Sequence, residues 1–477
     1  MNLDLSIFDI VGPVMLGPSS SGTAGMMRIG AAAKQFLTAD PVKINIYFHE
    51  RNREHYEGCC SHIALTGGLL GFSADDPRFP DALSEAKRRG IAVQIGFFPA
   101  EESPDMLRVR LVTETADGLT HEFIATSVGG GNIRTEEING HPVNLSNYAS
   151  YRLARADGSI INTEPFFEGG TAGTEPLFTE YTELASLCEK EHCDIAEIML
   201  RYEVLRSGKS REEILSRMDQ MWQIIKRSVS EGIRGTYRPI MGLDDGANGK
   251  RVLHAIGEGK TISGGVSAKA AAYALAVMEY AVSMGCIVAT PTCGSAGVVP
   301  GCLAALQEEY GFSDREMVNA LFAMTSIGIV MAYDGVRFSG CAAGCQGEMT
   351  VSAAMAAMGA AYLGRKRSVC GKDCRTGHKE EAADSCRIAG NAAAFAVKGL
   401  LGLVCDPVAG VEVPCIKRNV SAALAALGCA DMALAGVESY LTPDQAFAAL
   451  KDVQDHLPEY LRGGGGGCAS CFRKGTH

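Results

Sequence analysis

The sequence lacks an excess of basic residues. Against 44 Lys and Arg stand 55 Asp and Glu, which leaves a net charge of −11. No basic stripe interrupts this balance, so a nucleic-acid partner is not expected. The acidity favours solubility instead. A secretory leader is not expected either. The opening MNLDLSIFDIVGP carries acids where a signal peptide has Lys or Arg, and Asp4 and Asp9 break its apolar runs. The expected location is the cytoplasm. Uninterrupted apolar runs are short. Stretches 317–333 and 349–364 are free of charge but fall below the ~20 residues that span a bilayer. A longer run between Glu279 and Glu308 is broken by Pro291, Pro300 and several glycines. Buried helices of a soluble protein account for all three, and no membrane partner is expected. No repeat period is apparent.

What the chain does contain is length, small residues and thiols. At 477 residues it exceeds what one hydrophobic core usually holds, so two or three domains are expected. Residues 1–170 read as α+β. Candidate strands fall at 43–49, 91–98, 107–113 and 121–127, with helices at 24–37 and 80–89. Segment 128–172 is rich in Gly, Asn and Thr and reads as loops with a last strand or two. Residues 175–477 read as an all-α domain. Segment 178–205 is amphipathic at helical spacing, and 210–231 continues it. Further helices are expected at 266–284, 302–310, 314–332, 348–362, 383–401, 418–436 and 443–454. Their Ala, Gly and Ser content implies close helix–helix approach. Two segments stand apart: a charged insert at 365–387 and a glycine-rich tail ending in Cys468 and Cys471.

With no export signal the 17 cysteines are expected as thiols. Three of them lie beside turn residues. Cys345 follows a Gly/Ala turn in SGCAAGCQGE. Cys405 and Cys415 flank the Pro- and Gly-punctuated loop CDPVAGVEVPC, which can aim both sulfurs at one point. Thiolates suit zinc or iron–sulfur clusters. The spacing alone leaves open a metal site, a cluster, or three unrelated buried thiols. The hydroxyl-rich loops TPTCGSAG (290–297) and SSSGT (19–23) offer backbone N–H groups and hydroxyls without bulk, as carboxylate capture requires. SSSGT also reads as a helix N-cap.

Three long strings, 263–301, 339–361 and 401–419, resemble the α domain of the iron–sulfur L-serine dehydratases. SIFDIVGPVMLGPSSSGTAG (6–25) and SVGGG (127–131) resemble the β domain of that family, here fused ahead of the α domain. The resemblance implies a [4Fe–4S] cluster on Cys345, Cys405 and Cys415, with one iron left for a small amino-acid substrate. It implies elimination of water from L-serine to give pyruvate and ammonia, in a homodimer. It points to Ser21 and Ser295 for catalysis, with His62 the candidate to stand in for the family's histidines, and to Ser19, Ser20, Thr23, Gly130, Thr292 and Gly294 for substrate binding. The chain departs from the pattern in places. Gly22 stands where GPSSSHT has histidine, and CCSH (59–62) stands where GHGTD is expected. Ala342-Ala343 replaces an acidic position before the first cysteine. His49, His55, His62 and His121 are the possible replacements for the missing histidines. Related eliminations, such as that of sulfide from L-cysteine, and a cluster-bearing sensor are the alternatives. Cys370, Cys374, His378 and Cys386 form a possible second metal set.

Overall fold

The computed structural model describes residues 5–53, 55–74, 76–145, 150–154, 160–165, 176–238, 246–369, 378–405, 413–458 and 461–462. The N-terminal region is built on a six-stranded sheet. Its order is Ala92–Phe98, Pro41–His49, Arg108–Thr115, Thr120–Gly129, Asn132–Ile138 and His141–Leu145. The first pair is parallel and the rest are antiparallel. Strand Pro41–His49 alternates, burying Ile44, Ile46 and Phe48. Helices Met26–Phe36 and Ser61–Leu70 share that core, contributing Ile29, Phe36, Leu65 and Leu69. The two helices cross at glycine: a Cβ on Gly30 would lie 2.2 Å from the Leu65 carbonyl oxygen.

From Tyr181 onward the chain is mostly helical. Gly265–Ala281, Val298–Tyr310, Asp314–Tyr333, Met349–Val369, His378–Gly399 and Val413–Leu434 pack around one another. Alanine makes this packing tight. Val298–Tyr310 approaches Gly265–Ala281 so closely that a Cβ on Gly301 would lie 2.8 Å from the Ala270 carbonyl oxygen. The N-terminal residues Ile7, Phe8, Ile10, Val11 and Met15 are buried in this helical core, not under the sheet. Fully buried Glu203 anchors them, accepting from Ser6 Oγ and the Ile7 N–H, both at 3.0 Å, while Arg206 neutralises it at 2.9 Å. Strand Val14–Leu16 then pairs antiparallel with Cys286–Val288.

Several sequence expectations change. The helical region is not all-α, because Cys286–Val288 is extended. Segment 178–205 is two helices, Tyr181–Glu191 and Ile195–Ser207. His192 turns left-handed between them and Asp194 caps the second. Segment 128–172 holds more strand than expected: Asn132–Ile138, His141–Leu145, Arg152–Ala154 and Ile160–Asn162. Helices Ser61–Leu70 and Asn248–Gly257 lay in stretches left unassigned. The charge-free run 317–333 extends to Asp314, giving a 20-residue helix long and apolar enough to cross a membrane, of which 78% of the apolar window is buried inside the protein. Insert residues 370–377 and tail residues 463–477, including Cys370, Cys374, Cys468 and Cys471, lie outside the described residues.

The anchoring network gives a pH prediction. Burial pushes the Asp9 carboxyl up to about 6, against the opposing pull of the Ser6 N–H and Arg206. The folded state therefore holds this proton more tightly than the unfolded chain, whose carboxyl titrates near 3.8. Stability from this group is complete below that value and is lost as pH rises through 6. Asp9→Asn is expected to raise stability at pH 8 by roughly 1 to 3 kcal/mol and to change little at pH 4. Thermal melts of both proteins at the two pH values check this.

Candidate active site

The first cysteine is presented by a backbone that only glycine allows. Gly344 sits at φ +71° and ψ −176°, and a Cβ there would lie 2.9 Å from Leu457 and 3.1 Å from the Leu403 carbonyl oxygen. The turn drives Cys345 inward, and it is buried. Its thiol lies within hydrogen-bond reach of both Cys405 and Cys415. These two thiols, with Arg418, hold the Cys345 thiol well below its ordinary pKa although burial pushes the other way. The three cysteines expected to act together therefore meet.

Named bonds hold them there. The Gln346 N–H donates to the Leu403 carbonyl at 2.9 Å, and its side-chain oxygen accepts from the Gly402 N–H at 3.1 Å. Gln346 thus clips the Cys345 turn to the chain entering Cys405. Asn419, fully buried, donates to the Cys415 carbonyl at 2.7 Å and the Gly294 carbonyl at 2.8 Å, and accepts from the Gly297 N–H at 3.0 Å. It fixes the third cysteine to the loop 290–297.

Among the described residues no group of three or more His, Cys, Asp or Glu side chains is set to hold a single metal ion. The donor chemistry does fit a cluster. Three thiols converge, one is already held toward thiolate, and a guanidinium balances the charge. The side-chain amide nitrogen of Gln346, beside Cys345, is buried with no hydrogen-bond partner. Of the possible second metal set, Cys386 alone has a described side chain. Cys386 is buried against Cys188, and Tyr181 donates to its carbonyl at 2.8 Å.

The hydroxyl loops meet beside this centre. Residues Ser20–Gly25 form a wide π-type turn capped by Ser19, whose Oγ accepts from the Gly22 N–H at 3.1 Å. Thr23 accepts from the Ser19 N–H at 3.0 Å and donates to the Cys59 carbonyl at 2.6 Å. Ser21 Oγ lies 3.5 Å from Ser19 Oγ. Ser20 crosses between the two regions, its Oγ accepting from the Cys293 N–H at 2.7 Å. In the partner loop, Ser295 Oγ donates to the Thr290 carbonyl at 3.2 Å and lies 3.2 Å from Thr292 Oγ1. Thr290 Oγ1 is buried with no partner. The glycine turn arrives from the sheet: a Cβ on Gly129 would lie 3.2 Å from Ser339, while Gly130 faces Asn132. The Gly131 carbonyl accepts from buried Arg28.

His62 lies in the first turn of helix Ser61–Leu70, which leans on this loop through Ser61, whose Oγ donates to the Gly22 carbonyl at 2.7 Å. The His62 ring packs edge-on to Tyr56 at 5.2 Å. Burial lowers its pKa, and its Nδ1 is buried without a hydrogen-bond partner. Two other candidate histidines have structural work: His49 accepts from the Arg51 N–H and bonds the Ser103 carbonyl, and His121 bonds Thr38.

Sequence reasoning missed Glu348. A Cβ on Gly294 would lie 2.9 Å from its Oε2, and so would one on Gly340. Its signal was present in CQGE, but a Glu at a helix start reads as an ordinary dipole partner. Asn419, Gln346 and Arg418 were missed for the same reason, each being a common residue in a quoted string. Cys59 was noted only as a departure. It occupies the space in front of Gly22, where a Cβ would lie 2.6 Å from its Cβ and 2.9 Å from its sulfur.

Three thiols thus meet beside glycines, hydroxyls and one carboxylate drawn from both regions of the fold. Residues 190–371 and 380–465, more than half the chain, match the model of the serine dehydratase alpha chain family. The chain belongs to that family. It is 35% identical over 292 residues to the probable L-serine dehydratase alpha chain of Bacillus subtilis, covering 61% of this chain and 90% of that one. It is 37% identical over 199 residues to the probable beta chain of the same organism, covering 41% and 84%. The L-serine dehydratase of Mycobacterium bovis is 28% identical over 495 residues, covering 98% of both chains.

The fit of Cys59 against Gly22 is testable. Gly22→Ala is expected to destabilise the protein by about 1 to 3 kcal/mol through overpacking. Adding Cys59→Gly, which removes the opposing Cβ, is expected to restore most of that loss. Melting temperatures of the two single variants and the double variant would show the coupling, and strictly additive effects would refute it.

Proposed function

We propose that this chain is an iron–sulfur-dependent L-serine ammonia-lyase that converts serine to pyruvate and ammonia. The observation that carries the reading is the meeting of Cys345, Cys405 and Cys415 around a thiol held below its ordinary pKa. These residues would hold a [4Fe–4S] cluster, which when bound supplies an open iron as Lewis acid for the substrate's oxygens. Arg418 offsets the negative charge of the thiolates.

The rest of the chemistry belongs to the protein. The loop 290–297 receives the substrate carboxylate through backbone N–H groups and the hydroxyls of Thr292 and Ser295, with Gly294 leaving room. Ser19, Ser20, Thr23 and the Gly130 turn close the other side. Ser21 and Ser295 steady the departing hydroxyl. His62, kept neutral by burial, takes the Cα proton. Loss of water leaves an enamine, which tautomerises and hydrolyses to pyruvate and ammonia. A second reading, elimination from another β-substituted amino acid such as L-cysteine, is favoured by one observation. Cys59 fills the space in front of Gly22, so the proton donor for the leaving group is not a histidine at that position.

Anaerobic reconstitution with iron and sulfide, followed by pyruvate and ammonia assays on L-serine, L-threonine and L-cysteine, tests the reading. L-Serine is expected to turn over fastest. Cys345→Ala is expected to lose both the cluster absorbance and activity, whereas Cys429→Ala, elsewhere in the core, keeps both. Full activity in Cys345→Ala would sink the proposal. The base assignment has its own check. The acid limb of kcat/KM is expected below pH 6.5, because burial lowers the His62 pKa from that value, and to vanish in His62→Asn. An unchanged profile in the variant would reassign the base.

A further inference from the structure

We infer that Glu348 recognises the α-ammonium group of the substrate, and so selects amino acids over the corresponding hydroxy acids. The inference deepens the lyase reading and rests on it. It starts from where the carboxylate is. The Glu348 N–H donates to the Cys345 carbonyl at 3.1 Å, which fixes the residue one turn from the first thiol. Its side chain then reaches two separate loops. A Cβ on Gly294 would meet Oε2 at 2.9 Å and Oε1 at 3.0 Å, and a Cβ on Gly340 would meet Oε2 at 2.9 Å. Gly294 belongs to the loop assigned to the substrate carboxylate. Gly340 neighbours Ser339, which the Gly129 turn of the sheet region approaches. The carboxylate therefore stands where the cysteine turn, the substrate loop and the sheet region come together. It is half-buried, so a small ligand can reach it.

Both facing positions are glycine, and any side chain on either would press against the carboxylate. The carboxylate thus sits against the backbones of both glycines, in the space that their missing side chains leave. An α-amino acid brings three polar groups to such a site. Backbone N–H groups and hydroxyls suit its carboxylate, and a Lewis acid suits its β-oxygen. Only an anion suits its ammonium. The named hydroxyls of Thr292, Ser295 and Ser21 are neutral and would serve lactate as well as alanine. A charge-assisted bond to Glu348 supplies the missing discrimination.

The test uses the full-length, anaerobically reconstituted protein and two ligands that cannot undergo elimination. L-Alanine carries the ammonium and no β-leaving group; L-lactate has a hydroxyl in its place. Binding is measured by calorimetry, apart from turnover. Glu348→Gln is expected to weaken L-alanine roughly 10- to 100-fold while L-lactate stays within about 3-fold. Glu348→Asp, which keeps the charge at shorter reach, is expected to fall between. Unchanged L-alanine affinity in Glu348→Gln overturns the inference, as does an equal loss for both ligands. A collapse of kcat on L-serine with L-alanine affinity intact also overturns it, and makes Glu348 a proton-transfer group. If Glu348→Gln fails to fold or to hold the cluster, the alanine-to-lactate affinity ratio of Glu348→Asp decides, and a ratio equal to wild type overturns the inference. A wild-type protein that prefers alanine to lactate but never turns over serine sinks the lyase reading alone. One that turns over serine, with alanine binding untouched in Glu348→Gln, sinks this inference alone.

Discussion

One buried amide governs the geometry of the site. Asn419 makes three bonds from a fully buried position: to the Cys415 carbonyl, the Gly294 carbonyl and the Gly297 N–H. The first belongs to the third cysteine and the other two to the substrate loop. A buried amide with its bonds made is rigid, because each lost partner would leave an unsatisfied group at a cost of about 1 to 3 kcal/mol. Asn419 therefore ties the third cysteine to the loop 290–297, and Ser352, on the helix after Cys345, donates to the Ser295 carbonyl of the same loop at 3.3 Å. Glu348 depends on it in turn, since its carboxylate fits only the gap that Gly294 leaves.

The second constraint is that the site is incomplete within either region. The helical region supplies the thiols, the loop 290–297 and Glu348. The N-terminal region supplies the serine turn, the glycine turn and His62. Two short-range devices register them. Strand Val14–Leu16 pairs with Cys286–Val288, placing the serine turn opposite the loop that follows. Ser20 then accepts from the Cys293 N–H. The residues before that strand are buried in the helical core, with Glu203 holding their backbone. The joint is thus made by chain that reads as N-terminal and packs with the helices.

Much of this was legible in the sequence, for identifiable reasons. The sheet strands were readable because one face is buried and period-two alternation survives, as in Ile44, Ile46 and Phe48. The three cysteines stood out beside Pro and Gly, but spacing alone left their joint role open, and the resemblance to a known family supplied it. Most helices were readable from composition, though Ser61–Leu70 and Asn248–Gly257 were not, and helix ends were not. His192 in a left-handed turn splits an amphipathic run that periodicity alone would join. Strand Cys286–Val288 was invisible because its partner lies more than 270 residues away and both of its faces are buried, leaving no alternation to read. Glu348 and Asn419 were hidden for a related reason. Their roles are set by which glycines and carbonyls face them, and pairing across the fold leaves no local pattern.

The pair Gly22 and Cys59 shows how such a hidden pairing can shift chemistry while preserving the frame. The serine turn keeps its cap, its bond to Cys293 and its contact with Ser61, so its backbone is held independently of any side chain at position 22. With Cys59 filling the adjacent space, a glycine is required there and a histidine is excluded on steric grounds alone. In the proposed reading, proton transfer then falls to groups other than the residue at position 22. His62 sits on the helix that follows the turn carrying Cys59, and burial keeps it in the neutral form a base requires. In the lyase reading proposed above, the acid–base chemistry then lies on the helix behind the serine turn, while Asn419 and Gln346 hold the cysteines in place.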